Sequence, residues 1–187
     1  MRVIEMGLAG LRLIETRIFR DDRGHFQESW SAARYAELGV PGPFVQDNVS
    51  CSRRNVLRGL HFQEPNAQGK LISVLQGTVW DVAVDLRMGS DTFGRWRGVE
   101  LSAESGQQLF IPEGFAHGFV VLSETALFSY KCTEYYDPAA ERTVIWNDSD
   151  LAIEWPVEEP ILSGKDAAAS TLRELMPEKL PQLAVAG

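Results

Sequence analysis

Two cysteines, Cys51 and Cys132, and three histidines are all that the 187-residue chain offers for disulfide or soft-metal chemistry. Two cysteines so far apart make neither a disulfide framework nor a metal-spaced pair. Free thiols in a reducing cytoplasm are therefore expected. No apolar run is long enough to span a bilayer, and the opening MRVIEMGLAG lacks the apolar core of a signal peptide. Positive charge is also scarce. Eighteen Lys and Arg face 26 Asp and Glu, for a net charge of −8. That balance argues against a general nucleic-acid or membrane-surface binder. It leaves room for an anionic small ligand held by a local cluster such as Arg20 and Arg23, or Arg53, Arg54 and Arg58, although solvated surface explains such clusters equally well.

What the chain has is enough apolar sequence, 44% of its residues, for one domain over 1–187 with a tail from about 170 to 187. Short extended patterns follow one another, bounded by Gly and Pro. They fall at residues 11–19, 25–30, 44–50, 71–75, 78–86, 96–101, 107–111, 119–121, 126–134 and 143–146. Ser31 opens a short helix over 32–38 that Gly39 ends, and 171–176 has a short helical pattern. Gln76-Gly77 reads as a hairpin-like turn. Regularly spaced short strands of this kind predict a mainly β sandwich or barrel. In the strand at 78–86, Val79, Asp81, Ala83 and Asp85 share one face, and Trp80, Val82, Val84 and Leu86 the other. Periodicity favours the apolar face as core, which makes Asp81 and Asp85 surface carboxylates. The opposite choice turns Asp81 into a barrel interior.

The stretch NVLRGLHFQEPNAQGK, residues 55–70, concentrates chemistry. A strand pattern carrying Arg58 and His61 leads through a turn-rich connection to Lys70 and a second strand. His61 and Lys70 are expected close together on neighbouring strands. A group that titrates near neutral pH beside a fixed positive charge can remove a proton and hold the resulting anion. Taken alone, the pair is more often a structural histidine and a surface lysine, and flanking residues must support any claim of a site.

Residues 106–117, GQQLFIPEGFAH, match most of the second cupin motif, a jelly-roll signature. The first cupin motif is incomplete: His61 stands alone, with Gln63 where a second histidine belongs, and Val121 replaces the Asn that follows the second motif. Two histidines without further ligands do not make a metal site, and His25 adds no ligand spacing.

Further segments extend the likeness: Arg58 to Gln63, Ala67 to Leu71, Asp81 to Arg87, Ser90 to Trp96, Pro112 to Phe119, Tyr130 to Tyr136, Ile145 to Asp148 and Ser163 to Asp166. Together they make the chain resemble the dTDP-4-dehydrorhamnose 3,5-epimerase family, metal-free members of the cupin group, from about Phe19 to Asp166. The resemblance implies a homodimeric cupin-type jelly-roll barrel with short peripheral helices. It implies a dTDP-linked 4-keto-6-deoxy sugar as substrate, epimerised beside its ketone without cofactor or metal. By matching position, His61 resembles the general base, Asp166 the carboxylate that orients it, Lys70 the group that holds the enolate oxygen, and Tyr130 the acid on the opposite face. Gln46, Asn48 and Arg58 resemble nucleotide or phosphate contacts. Arg23, Phe26 and Glu28 resemble contacts reaching from a partner subunit, and Asp81 and His117 resemble pocket-lining residues.

Read without the family, Tyr130 alternates with Phe128 and Cys132 as a core residue does, and Asp166 after Gly164-Lys165 reads as a helix cap. Ala169-Ser170 stands where the family usually has Ala-Pro, which should loosen the tail and the hold on Asp166. Relatives that invert one centre only keep the same residues. A metal-dependent cupin oxygenase and a non-catalytic sugar-nucleotide binding module are the readings from other classes.

Overall fold

A computed structural model describes residues 1–40, 42–175 and 177–183. Its strands are β1 (Arg2–Glu5), β2 (Arg12–Glu15), β3 (Ile18–Asp21), β4 (Gly24–Gln27), β5 (Gln46–Arg53), β6 (Leu57–Gln63), β7 (Lys70–Gln76), β8 (Thr78–Asp85), β9 (Trp96–Ser102), β10 (Gln108–Ile111), β11 (Phe115–Val121), β12 (Thr125–Cys132) and β13 (Glu141–Thr143). The helices are α1 (Ala32–Glu37) and α2 (Gly164–Ala167), with one-turn 3-10 helices at Leu172–Glu174 and Pro177–Lys179. Two antiparallel sheets form a jelly roll, in the orders β1-β2-β10-β7-β12-β5 and β13-β6-β11-β8-β9. A separate hairpin, β3–β4, pairs with neither sheet.

Three expectations about elements need correction. The predicted strand over 11–19 divides into β2 and β3, and β1, unmarked by the sequence pattern, pairs with β2. Gln76-Gly77 is not a hairpin turn. β7 pairs with β10 and β12, whereas β8 pairs with β11 and β9, so the chain crosses between sheets there. Gly77 has φ +80, and a Cβ on it would lie 2.2 Å from the Thr125 carbonyl oxygen, so the corner admits only glycine. The helical pattern at 171–176 is a single 3-10 turn over Leu172–Glu174, with Met176 outside the described residues.

Both faces of β8 are buried, and periodicity therefore misreads it. Val79 and Ala83 join Ile72, Leu109, Phe119 and Phe128 in the core between the sheets. Val82, Val84 and Leu86 lie on the outer face, packed with Leu60, Phe62, Val144, Leu151 and Leu180. Each apolar side chain so covered contributes ~1.5–3 kcal/mol, which makes the C-terminal third part of the fold. Asp81 and Asp85 are both 0% exposed, not surface carboxylates. Asp85 is satisfied by Arg87, Ser90 and Thr92, which hold its carboxyl down at about 2 against the cost of burial. On the outer face of the other sheet, α1 buries Tyr35 against Ile14, Leu71 and Phe110.

One irregularity in β6 builds the site. Period two would put Arg58 and His61 on opposite faces. Gly59, with φ +126, sits so close to β11 that a Cβ would lie 2.5 Å from Gly118 Cα and 2.7 Å from the His117 carbonyl oxygen. The β6–β11 register shifts between His117 and Phe119. The bulge re-aims the strand, and Arg58 and His61 both face the same cavity.

Candidate active site

The cavity, about 390 Å³, opens between the sheets and falls in the usual range for small-molecule sites. The six-stranded sheet supplies one wall in rows set by its register. Lys70 pairs with Cys132 and Cys132 with Gln46; Ile72 pairs with Tyr130 and Tyr130 with Asn48; Val74 pairs with Phe128 and Phe128 with Ser50. The five-stranded sheet supplies Arg58, His61, Gln63, His117 and Phe119. His61 and Lys70 were expected on neighbouring strands. They instead face the cavity from opposite sheets, because the chain changes sheet between β6 and β7.

His61 is partly exposed, and its Nε2 lies 2.6 Å from Asp166 Oδ1. Asp166 is 3% exposed. It is not the cap of α2; Ser163 is, accepting from the Asp166 amide at 3.1 Å while its own hydroxyl donates to Asp166 Oδ2 at 2.9 Å. Burial pushes the Asp166 carboxyl up, but the His61 hydrogen bond and charge, Ser163 and Lys165 outweigh it and hold the group below its ordinary value. A carboxylate so placed fixes the proton on Nε2, which leaves Nδ1 with the lone pair of a base. His117 Nε2 makes a second pair with Asp81, at 2.9 and 3.1 Å. Asp81 thus reaches the cavity only through His117 and does not line it.

Lys70 is 7% exposed, and burial lowers its pKa against the opposing influence of Cys132, Glu141 and Asp81. An ammonium in such a place gains most from a negative charge that forms beside it. Tyr130 is held above its ordinary value, chiefly by burial, with Cys132 and Glu141 adding and Arg58 opposing. The phenol is therefore protonated at neutral pH, able to donate. Gln46, Asn48 and Arg58 line the cavity. Gln46 Nε2 donates to Asn48 Oδ1 at 3.0 Å, and Arg58 Nε donates to the Ser52 hydroxyl at 3.2 Å. Among the described residues, no three His, Cys, Asp or Glu come together as a metal cluster.

A base and an acid on facing walls, with a buried cation beside them, suit proton removal from one face of a carbon and return to the other. The comparisons with known proteins agree. A family model described as dTDP-4-dehydrorhamnose 3,5-epimerase matches residues 5–174. The chain belongs to this family. The family's curated member from Salmonella typhimurium, named dTDP-4-dehydrorhamnose 3,5-epimerase, is 53% identical over 94% of this chain and 98% of its own. The solved dTDP-6-deoxy-D-glucose-3,5-epimerase of Legionella pneumophila, in complex with dTDP-4-keto-L-rhamnose, superposes with a TM-score of 0.95 at 52% identity, covering 98% of this chain and 99% of that one. A Streptomyces niveus relative named dTDP-4-dehydrorhamnose 3-epimerase is 40% identical over 93% of this chain and 85% of its own.

The remaining residues carried over from the family lie elsewhere on this chain. Arg23 and Phe26 are exposed on the β3–β4 hairpin, and Glu28 just beyond it pairs with Arg34; none of the three lines the cavity. Sequence reasoning missed Tyr136 and Glu141, which also line the cavity. The Tyr136 hydroxyl donates to Glu141 at 2.7 Å, and Glu141 also pairs with Lys165. The signal for Glu141 is its register: β13 pairs with β6, Glu141 opposite Gln63 and Thr143 opposite His61. The sequence marks residues 143–146 as a strand and stops two residues short of it.

Proposed function

We propose that the protein inverts C3 and C5 of dTDP-4-dehydro-6-deoxy-D-glucose, giving dTDP-4-dehydro-L-rhamnose through enolate intermediates and without a cofactor. The observation that carries this reading is the pairing of the His61–Asp166 dyad on one wall with Tyr130 and Lys70 on the other. His61 Nδ1 takes the proton from the carbon beside the ketone, and Asp166 stabilises the imidazolium that results. The electron pair moves onto the carbonyl oxygen, where the Lys70 ammonium meets the enolate charge. Tyr130 returns a proton from the opposite face, inverting the centre. Base and acid each contribute ~10²–10⁴-fold. Arg58, Gln46 and Asn48 bind the diphosphate and nucleotide, and His117, held by Asp81, faces the sugar.

A homodimer is part of the proposal. Phe26, 69% exposed, and Phe19, 49% exposed, stand on a hairpin paired to neither sheet. That hairpin suits a segment that reaches into a second copy's cavity with Arg23, Phe26 and Glu28. A cytoplasmic site of action suits the two free thiols, Cys51 and Cys132.

Incubation with dTDP-4-keto-6-deoxyglucose in heavy water tests the reading. Deuterium at both C3 and C5, with the L-lyxo product trapped by a reductase, is the expected result. Label at one carbon reassigns the protein to a single-centre reaction like that of its 3-epimerase relative. Bound substrate without label rejects catalysis on this sugar nucleotide.

A further inference from the structure

The Ile145–Asp148 stretch contributes nothing to the cavity, yet it carries the most heavily bonded carboxylate near the tail. Asp148 is 3% exposed. Its Oδ1 accepts from the amides of Asp150 at 2.8 Å and Leu151 at 3.0 Å, closing a tight turn. Its Oδ2 accepts at 2.7 Å from the amide of Leu172, twenty-four residues further on. Arg173 adds an ion pair to Asp150 of the same turn. Next to this tie, the Ile145 amide donates to the Ser170 carbonyl at 2.8 Å, and Val144 bridges Ser170.

The other end of this segment is fixed as well. Ile161 bridges Val56 at the entry to β6; its amide donates to Asn55 O at 2.7 Å, and the Leu57 amide donates to its carbonyl at 3.0 Å. The chain from Ile161 to Leu172 is thus a strap laid over β6 and held at both ends. In its middle, α2 sets Asp166 against His61. Between the two anchors the strap has no sheet pairing of its own; the Lys165–Glu141 ion pair ties its middle to β13, and the anchors set the course of the backbone that carries Asp166. The second anchor is held without the family's proline. Its register comes from the Ile145–Ser170 bond and from Asp148.

We propose that Asp148 is a positioning residue for the His61–Asp166 pair: by holding the Leu172 amide it fixes the end of the strap and with it the aim of the Asp166 carboxylate. A carboxylate is needed because both oxygens must accept. An asparagine keeps one acceptor for the turn and turns an NH₂ toward the Leu172 amide. The inference rests on the proposed roles of His61 and Asp166, and its test separates the two.

Asp148→Asn leaves the turn at Oδ1 intact and removes only the tie to Leu172. The expected result is a loss in kcat of about tenfold, within the up to ~10²-fold cost of misplacing a reacting group by about 1 Å. KM and the affinity for thymidine diphosphate stay unchanged, since Gln46, Asn48 and Arg58 lie on other elements. The downfield proton resonance of His61 Nε2–H should weaken or shift, which a purely structural turn would not cause. Asp166→Asn, measured beside it, should lose more. A folded Asp148→Asn protein with wild-type kcat, next to an impaired Asp166→Asn, overturns the inference and leaves the dyad standing. Wild-type kcat in both variants overturns the dyad reading, and the inference with it. If Asp148→Asn does not fold, Glu174→Ala decides instead. This exposed acid accepts from the Thr171 amide at 2.8 Å and hydroxyl at 2.9 Å and steadies the same anchor. Its kcat should fall about two- to threefold at constant KM, a small misplacement of the reacting groups; an unchanged kcat there rejects the inference.

Discussion

Lys70 carries its ammonium into the cavity wall, where only 7% of the residue remains exposed. Burial lowers its pKa from 10.5 against the opposing influence of Cys132, Glu141 and Asp81, so the charge costs stability in the resting fold and gains most when an anion forms beside it. Lys70→Met should therefore lose activity and gain stability: kcat falls about 10²–10³-fold, the scale of one lost oxyanion donor, while Tm rises. The sign follows from the direction of the shift. The folded pKa lies below the unfolded one, so the penalty is complete below the folded pKa and fades as pH rises from there toward 10.5. The Tm gap between variant and wild type should close over that alkaline range. A Lys70→Met protein less stable than wild type at pH 7 contradicts this account. The residue types of the site were legible in the sequence, since His61, Lys70, Tyr130 and Asp166 stand in segments matching the family. Their partners were less so. The Ser163 cap and the Asp81–His117 pair come from contacts between segments that spacing does not reveal.

At the scale of elements, alternation marked most strands because one face of each meets a core. It failed where both faces are covered. β8 has the interior on one side and the C-terminal segments on the other, so its two carboxylates looked like surface. Turn chemistry was ambiguous for a related reason. Gly77 suits a tight hairpin by its residue type, but the same left-handed conformation serves a corner between two sheets, and only the pairing partners of β7 and β8 decide. The bulge at Gly59 shows the limit most clearly. Arg58 and His61 are three residues apart, an odd step that strict period-two reading sends to opposite faces, and a backbone contact with Gly118 brings them to one cavity. Ser170 stands beside Ala169 where the family usually has proline, and the Val144–Ser170 bridge and the Asp148–Leu172 bond tie the chain there.

For the whole molecule, net charge and site charge point in opposite directions. The chain carries −8 overall, yet Arg58 and Lys70 line the cavity, a local arrangement suited to an anionic nucleotide. Arg23 and Phe26 on the hairpin lie outside the lining of the cavity that holds His61 and Lys70. Light scattering should therefore give twice the 20.8 kDa chain mass, and a strictly monomeric protein with full activity contradicts the shared-site reading. The proposed partner surface is not marked by sequence periodicity, which does not separate residues covered by a second copy from exposed ones. The proposed chemistry turns most on His61. Its most direct test is His61→Ala incubated with the 4-keto-6-deoxy sugar nucleotide in heavy water. A folded protein that binds thymidine diphosphate normally and puts no deuterium at C3 or C5 is the expected result. Label at either carbon at close to the wild-type rate would show that another group takes the proton.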